Sequence, residues 1–280
     1  MSFTYMLAPL EDTGDNALRT LCHRYGADVT FTEMARTDSL ARNNQSTLSR
    51  TLLSDDTPAW IQITGAQDNV LKRYLAHFEP QKGFLGFNFN VGCPSPTIIS
   101  SGLGCAMIKR VSKMKKLVSI VKDYGYHVSI KMRLGMNRYE KEKKVYLNLI
   151  DAVDVDFFAV HGRHGAQTYA HPAGYDAIIE CAKSGKTIIA NGDIVDRERV
   201  AFLRSHGIKG VMIGRAAVFN PAVFNLLKGE PVPPIKQLEN EYLELADRFH
   251  APFKYRKNVL KRLGRPLSTI QEMQSENVQG

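Results

Sequence analysis

Along the chain, short runs of alternating apolar and polar residues take turns with longer stretches in which apolar residues return every three or four positions. The first spacing is that of a strand, the second that of an amphipathic helix. The strand-like runs are residues 4–9 (TYMLAP), 27–34 (ADVTFTEM), 59–65 (AWIQITG), 85–91 (LGFNFNV), 127–134 (HVSIKMRL), 157–163 (FFAVHGR), 187–193 (TIIANGD) and 210–216 (GVMIGRA). Between them lie helix-period segments such as DNALRTLCHRYG, NVLKRYLAHF, MKKLVSIVKDYG and RERVAFLRSHG, several of them stopped by glycine. Eight strands alternating with helices predict a parallel sheet, and eight is the number that closes a (β/α)8 TIM barrel. A doubly wound open sheet would carry a glycine-rich turn after its first strand, and this chain has none there.

The barrel gives meaning to polar residues inside the strands. Parallel strands are covered on both faces, so a buried polar row needs partners. Phe87, Phe89 and Val91 alternate with Asn88 and Asn90; Val128, Ile130, Met132 and Leu134 alternate with Ser129, Lys131 and Arg133; His161 and Arg163 share one face. These polar groups gather toward the C-terminal strand ends, where barrels carry their active sites. There the run FNFNVGCPSP presents Cys93 between Gly92 and Pro94. Cys22 and Cys181 fall in helix patterns and read as small buried hydrophobes. The four cysteines, with Cys105, form no C-x-x-C pair, which argues against a zinc site and a disulfide framework. The last two strands end in NGD (residues 191–193) and GR (residues 214–215). Gly192 and Gly214 allow a phosphate to approach backbone N–H groups, and Arg215 adds charge. Flavin mononucleotide (FMN) is one phosphate-bearing ligand of this kind, and sugar phosphates are others. Lys131 is placed to balance the charge of a reduced flavin, with Gln62 and His161 as hydrogen-bonding groups for its ring. His161, His164 and His171 match no standard zinc spacing, so no metal is expected.

Composition adds a partner. With 280 residues and a hydrophobic fraction of 44%, the chain suits a barrel with a small appendage. No apolar run approaches the roughly 18 residues of a membrane span. The start, MSFTYMLAPLED, lacks a basic segment followed by an apolar one, so a cytoplasmic protein without membrane association is expected. The net charge of +9, from 37 basic against 28 acidic residues, points to a polyanion such as nucleic acid, or to a solvated basic surface. Pro231, Pro233 and Pro234 read as a linker that divides a catalytic barrel (residues 1–230) from a short basic helical region (residues 235–280). Its second helix carries Lys254, Arg256, Lys257, Lys261, Arg262 and Arg265, with Phe253 and Tyr255 interleaved. That density suits phosphate contacts, and equally a solvated basic face.

The motifs MLAPLEDTGDNALRTLCHRYGADVTFTEM, IQITG, FNVGCPSP, IKMRLG, AVHGR, ANGDI and VMIGRAAVFNP occur in the order and spacing of the tRNA-dihydrouridine synthases, which the chain resembles from about residue 5 to residue 228. KYRKNVLKRLG is similar to the basic helix of that family's C-terminal domain. The resemblance implies an FMN-dependent barrel that reduces uridine in tRNA, with NADPH or NADH as reductant. It implies that Cys93 is the general acid that protonates carbon 5 of the uracil after hydride reaches carbon 6. A thiol suits the task, being mostly protonated at neutral pH yet able to release its proton. Asn90 would fix the uracil ring, with Arg133 and Arg163 near the substrate and Lys257, Lys261 and Arg262 on the tRNA. Ala8, Pro9 and Leu10 would lie under the isoalloxazine, Gln62, Lys131 and His161 would contact it, and Asn191, Gly192, Asp193, Gly214 and Arg215 would hold the phosphate. The uridine would have to be flipped out of the tRNA to arrive there. The chain departs from the family pattern at APLEDTGD, at Asn88, at Thr97, at His164 and in its shorter C-terminal region, all of which bear on how tRNA is gripped. The residues also admit an FMN-dependent oxidoreductase of free pyrimidines of the dihydroorotate type, and a non-catalytic RNA-binding barrel. A monomer is the default expectation.

Overall fold

The computed structural model describes residues 3–270; residues 271–280, the last part of the expected appendage, lie outside them. Nine strands form one parallel sheet: β1 (Thr4–Leu7), β2 (Thr30–Phe31), β3 (Ala35–Arg36), β4 (Ala59–Thr64), β5 (Phe84–Val91), β6 (Val128–Met132), β7 (Phe158–His161), β8 (Ile188–Asn191) and β9 (Gly210–Ile213). The order is β1-β9-β8-β7-β6-β5-β4-β2, with β3 also paired to β4. A parallel bridge between Met6 and Val29 joins β1 to the β2 side, where the Leu7 N–H donates to the Val29 carbonyl at 2.9 Å. The result is a (β/α)8 TIM barrel.

The second predicted strand comes in two pieces. Thr30 pairs with Ala59 and Ala35 with Ile63, so five steps on one side face four on the other. The extra residue makes a bulge. Within it the buried Glu33 accepts hydrogen bonds from the Asp12 N–H and the Tyr255 hydroxyl, which draw it out of strand register.

Alternation along the strands sorts two cores. Ile61, Ile63, Phe87, Phe89, Val91, Val128, Ile130 and Met132 pack outward against the helices. Inside, Phe31, Trp60 and Phe157 join Met6, Ile189 and Met212 to plug the barrel. The Trp60 and Phe157 rings meet edge to face at 5.1 Å. Above this plug the interior turns polar. Side-chain caps start the helices Asn16–Arg24 and Arg197–Ser205, where Asp15 accepts from the Leu18 N–H at 2.9 Å and Asp196 from the Arg199 N–H at 2.7 Å.

The linker is followed by the helices Ile235–Arg248 and Phe253–Leu260. The first buries Leu238, Tyr242, Leu245 and Ala246 and packs on Asn16–Arg24. The second is latched to the barrel. Tyr255 donates to Glu33, Lys254 pairs with Asp12 at 2.7 Å, and the Asn258 carboxamide donates to the Asp12 carbonyl at 3.1 Å. Asp12 adopts φ 57°, which turns its carbonyl and carboxylate toward this helix. The latch is where the departure at EDTGD finds its structural use.

Candidate active site

A cavity of about 550 Å³ opens at the C-terminal strand ends, within the size range of small-molecule sites. Its floor is a hydrogen-bonded chain. The Asn88 carboxamide nitrogen donates to Ser129 Oγ at 2.9 Å, and Gln62 Nε2 donates to Asn88 Oδ1 at 2.7 Å. Asn90 Nδ2 donates to Gln62 Oε1 at 2.9 Å. Asn90 Oδ1 then accepts from the N–H groups of Gly92, at 3.1 Å, and Cys93, at 2.8 Å. Each buried amide thereby satisfies the next, and the last one pins the turn that carries the cysteine. The asparagines of β5 are this chain.

Cys93 is half-buried and lines the cavity. Its carbonyl accepts from the Cys105 N–H at 3.1 Å, so the turn is held from both sides. Cys22, Cys105 and Cys181 are buried, and burial raises each of their pKa values.

Two groups of the cavity lack partners. Lys131, partly accessible through the cavity yet walled by protein, has its pKa lowered to about 8, first by desolvation and then by Arg133. No carboxylate pairs with it among the described residues. His161 is buried with Nδ1 unpartnered, and burial, followed by Lys131, Arg133, Arg163 and Arg215, holds its pKa well below the ordinary value. A neutral imidazole and an unpaired ammonium in one pocket suit an anionic ligand that accepts and donates hydrogen bonds.

At the other end Gly192 has φ +116°, and a Cβ there would sit 3.0 Å from Ala173 Cβ and 3.3 Å from His161 Nε2. A Cβ on Gly214 would meet only Ala8 and Leu10, both at 3.8 Å. Ala8, Pro9, Leu10, Gln62, Lys131, His161, Asn191, Gly192, Asp193, Gly214 and Arg215 all line the cavity, as do Asn90, Arg133 and Arg262. Their side chains do not all face a ligand. The Asn191 carboxamide donates to the Met212 carbonyl at 2.7 Å. Asp193 accepts from Arg163 Nη1 at 3.1 Å, Arg215 Nη2 at 2.9 Å and the Ala173 N–H at 3.0 Å. Its carboxylate therefore orients arginines and would repel a phosphate. Arg133 Nη1 donates to the carbonyls of His164, at 2.9 Å, and Gln167, at 3.1 Å, propping the loop after β7.

Three expected substrate residues lie elsewhere. Arg163 is 0% exposed, bound to Asp193 and to the carbonyls of Tyr169 and His171, and does not line this cavity. Lys257 and Lys261 are exposed on the last helix. Of the other basic residues there, Lys254 is paired with Asp12, and Arg256 is bound to Asp247 and to the carbonyls of Ala246 and Ala251. Tyr169 is a cavity residue the sequence reading missed. Its ring lies 3.9 Å from the Arg215 guanidinium, and a loop residue without periodicity gives no signal of such a position. Among the described residues, His161, His164 and His171 join no group of three metal-ligand side chains. The sole such trio among the described residues is Glu11, Asp12 and Glu33, which already bind Arg50, Lys254 and Tyr255.

Residues 6–275 match the family described as dihydrouridine synthase (Dus). The chain is 30% identical over 257 residues to tRNA-dihydrouridine synthase B of Pseudomonas putida, with 88% of this chain and 76% of that protein covered. It is 32% identical over 227 residues to a probable tRNA-dihydrouridine synthase of Helicobacter pylori, with 78% and 68% covered. With a family match across nearly the whole chain, and a barrel whose mouth gathers a pinned cysteine, an unpaired lysine and an open glycine, this protein belongs to the dihydrouridine synthase family.

Proposed function

We propose that the protein reduces uridine in tRNA to 5,6-dihydrouridine, using FMN and a nicotinamide reductant, with Cys93 as the proton donor. The observation that carries this reading is the position of Cys93. Its backbone is fixed by Asn90 at the wall of the cavity that also holds Lys131 and Gly214. FMN fits the residues present: the unpartnered Nδ1 of His161 and the unpaired Lys131 suit its ring, and the space beside Gly214 admits its phosphate. Bound flavin would supply hydride to carbon 6 of the uracil. The chain itself supplies the rest. Cys93 gives its proton to carbon 5. Gln62, held by Asn88 and Asn90, presents a fixed edge to the ring, and Lys131 offsets negative charge there. Arg215, held by Asp193, adds positive charge at the phosphate end.

Gly214→Leu tests the cofactor. A Cβ there would keep ordinary van der Waals distances of 3.8 Å from Ala8 and Leu10, so the variant should fold, and the rest of the leucine side chain should compete with the phosphate and leave the purified protein depleted of FMN. Full flavin occupancy by absorbance would sink the assignment.

The exposed Lys257 and Lys261 test the nucleic-acid partner. Replacing both with alanine should weaken tRNA binding and lower the salt slope by about one per lysine, with flavin content unchanged. An unaltered slope and affinity would return them to a solvated surface.

A further inference from the structure

After the helix Phe253–Leu260 the chain turns at Gly264, whose φ is +80° and whose N–H donates to the Phe219 carbonyl at 2.8 Å. Only glycine suits this turn, because a Cβ would also press on Ile235 at 3.1 Å. The turn ties the chain to the helix Arg215–Phe219 and brings the half-buried Arg262, the exposed Arg265 and the buried Ile270 onto the wall of the cavity that Gly214, Arg215 and Phe219 also line. Lys254 and Arg256 have ion-pair partners in Asp12 and Asp247, whereas Arg262 and Arg265 have none among the described residues. The Arg262 guanidinium donates to the Asn258 carbonyl at 3.3 Å.

The charge at this end is otherwise short. Arg163 and Arg215 share the Asp193 carboxylate, which leaves one net positive charge from the trio. A phosphomonoester carries about 1.5 to 2 negative charges at neutral pH. We infer that Arg262 and Arg265 bind the cofactor phosphate, so the C-terminal segment is a wall of the flavin site as well as an RNA contact. This rests on the FMN reading above. The same guanidinium groups would suit a phosphodiester of the RNA; their place on the wall of the cavity that Gly214 and Arg215 also line favours the cofactor.

The test is titration of flavin-free full-length protein with FMN and with riboflavin, the same ring without the phosphate, followed by flavin fluorescence. Arg262→Ala with Arg265→Ala should weaken FMN binding on the order of a hundredfold, about tenfold per charge-assisted hydrogen bond lost. Riboflavin affinity should stay the same, which also reports that the pocket is folded. Arg262→Gln with Arg265→Gln, which keep most of the stems, should show the same pattern. Unchanged FMN affinity would overturn the inference, and with a lower tRNA affinity it would assign the arginines to RNA. Equal losses for both ligands would overturn it as well, leaving a packing role. Should wild-type protein bind neither ligand, the FMN reading itself falls, independently of these variants.

Discussion

Cys93→Ala should give a protein that keeps its flavin, accepts hydride from the nicotinamide donor, and forms dihydrouridine in tRNA on the order of a hundred- to ten-thousand-fold more slowly. The selectivity follows from how the turn is held. Asn90 accepts from the N–H groups of Gly92 and Cys93, and the Cys93 carbonyl accepts from Cys105, so none of the bonds that shape the turn uses the Cys93 thiol. The neighbouring thiol is a poor substitute. Cys105 donates to the Gly92 carbonyl at 3.1 Å, and burial pushes its pKa up to about 12. Single-turnover formation of dihydrouridine from pre-reduced enzyme separates the proton step from flavin loading. A wild-type rate there would assign the proton to another group.

Asp193→Ala should destabilise the barrel by about 3–5 kcal/mol, the usual loss when one member of a buried ion pair is removed. Arg163 is 0% exposed, and without Asp193 its guanidinium would retain the carbonyls of Tyr169 and His171 and the face of the Tyr169 ring, with no counter-charge. The Ala173 N–H and Arg215 would lose a shared acceptor at the same time. Denaturant unfolding of flavin-free protein measures the loss apart from any ligand. A midpoint and slope equal to wild type would show that Arg163 finds compensation and that the network contributes little to stability.

These two residues illustrate what the amino-acid pattern makes legible. Strand alternation is a local property, and it set Asn88, Asn90, Ser129 and Lys131 on the faces opposite Phe87, Phe89 and Ile130; the fold turns the polar faces inward. The link from Ser129 to Cys93 was not legible, because it joins three strands through partners far apart in the chain. Two G-R pairs look alike in sequence, yet Arg163 is buried on Asp193 and Arg215 faces the cavity. Both arginines bind Asp193, so the difference is one of burial: the Arg163 side chain is fully enclosed, whereas that of Arg215 is partly exposed at the cavity. The break in the second strand was hidden for a related reason: Glu33 is drawn out of line by Tyr255, 222 residues away. Charge density marked the last helix as basic, but only the fold shows that Lys254 and Arg256 are engaged internally while Arg262 borders the pocket.

The wall formed by Arg262, Arg265 and Ile270 has a consequence in time. Synthesis runs from the N-terminus at about 5–20 residues per second, and domains begin folding as they emerge. Ala8 and Leu10 leave the ribosome before the rest of the barrel, whereas Ile270, which lines the same cavity, follows after the last strand. The nascent barrel therefore passes through a stage in which its strands are complete and its pocket is not. On the FMN reading proposed above, stable cofactor capture would follow that stage, once the helix Phe253–Leu260 has latched onto Asp12 and Glu33 and the turn at Gly264 has met Phe219.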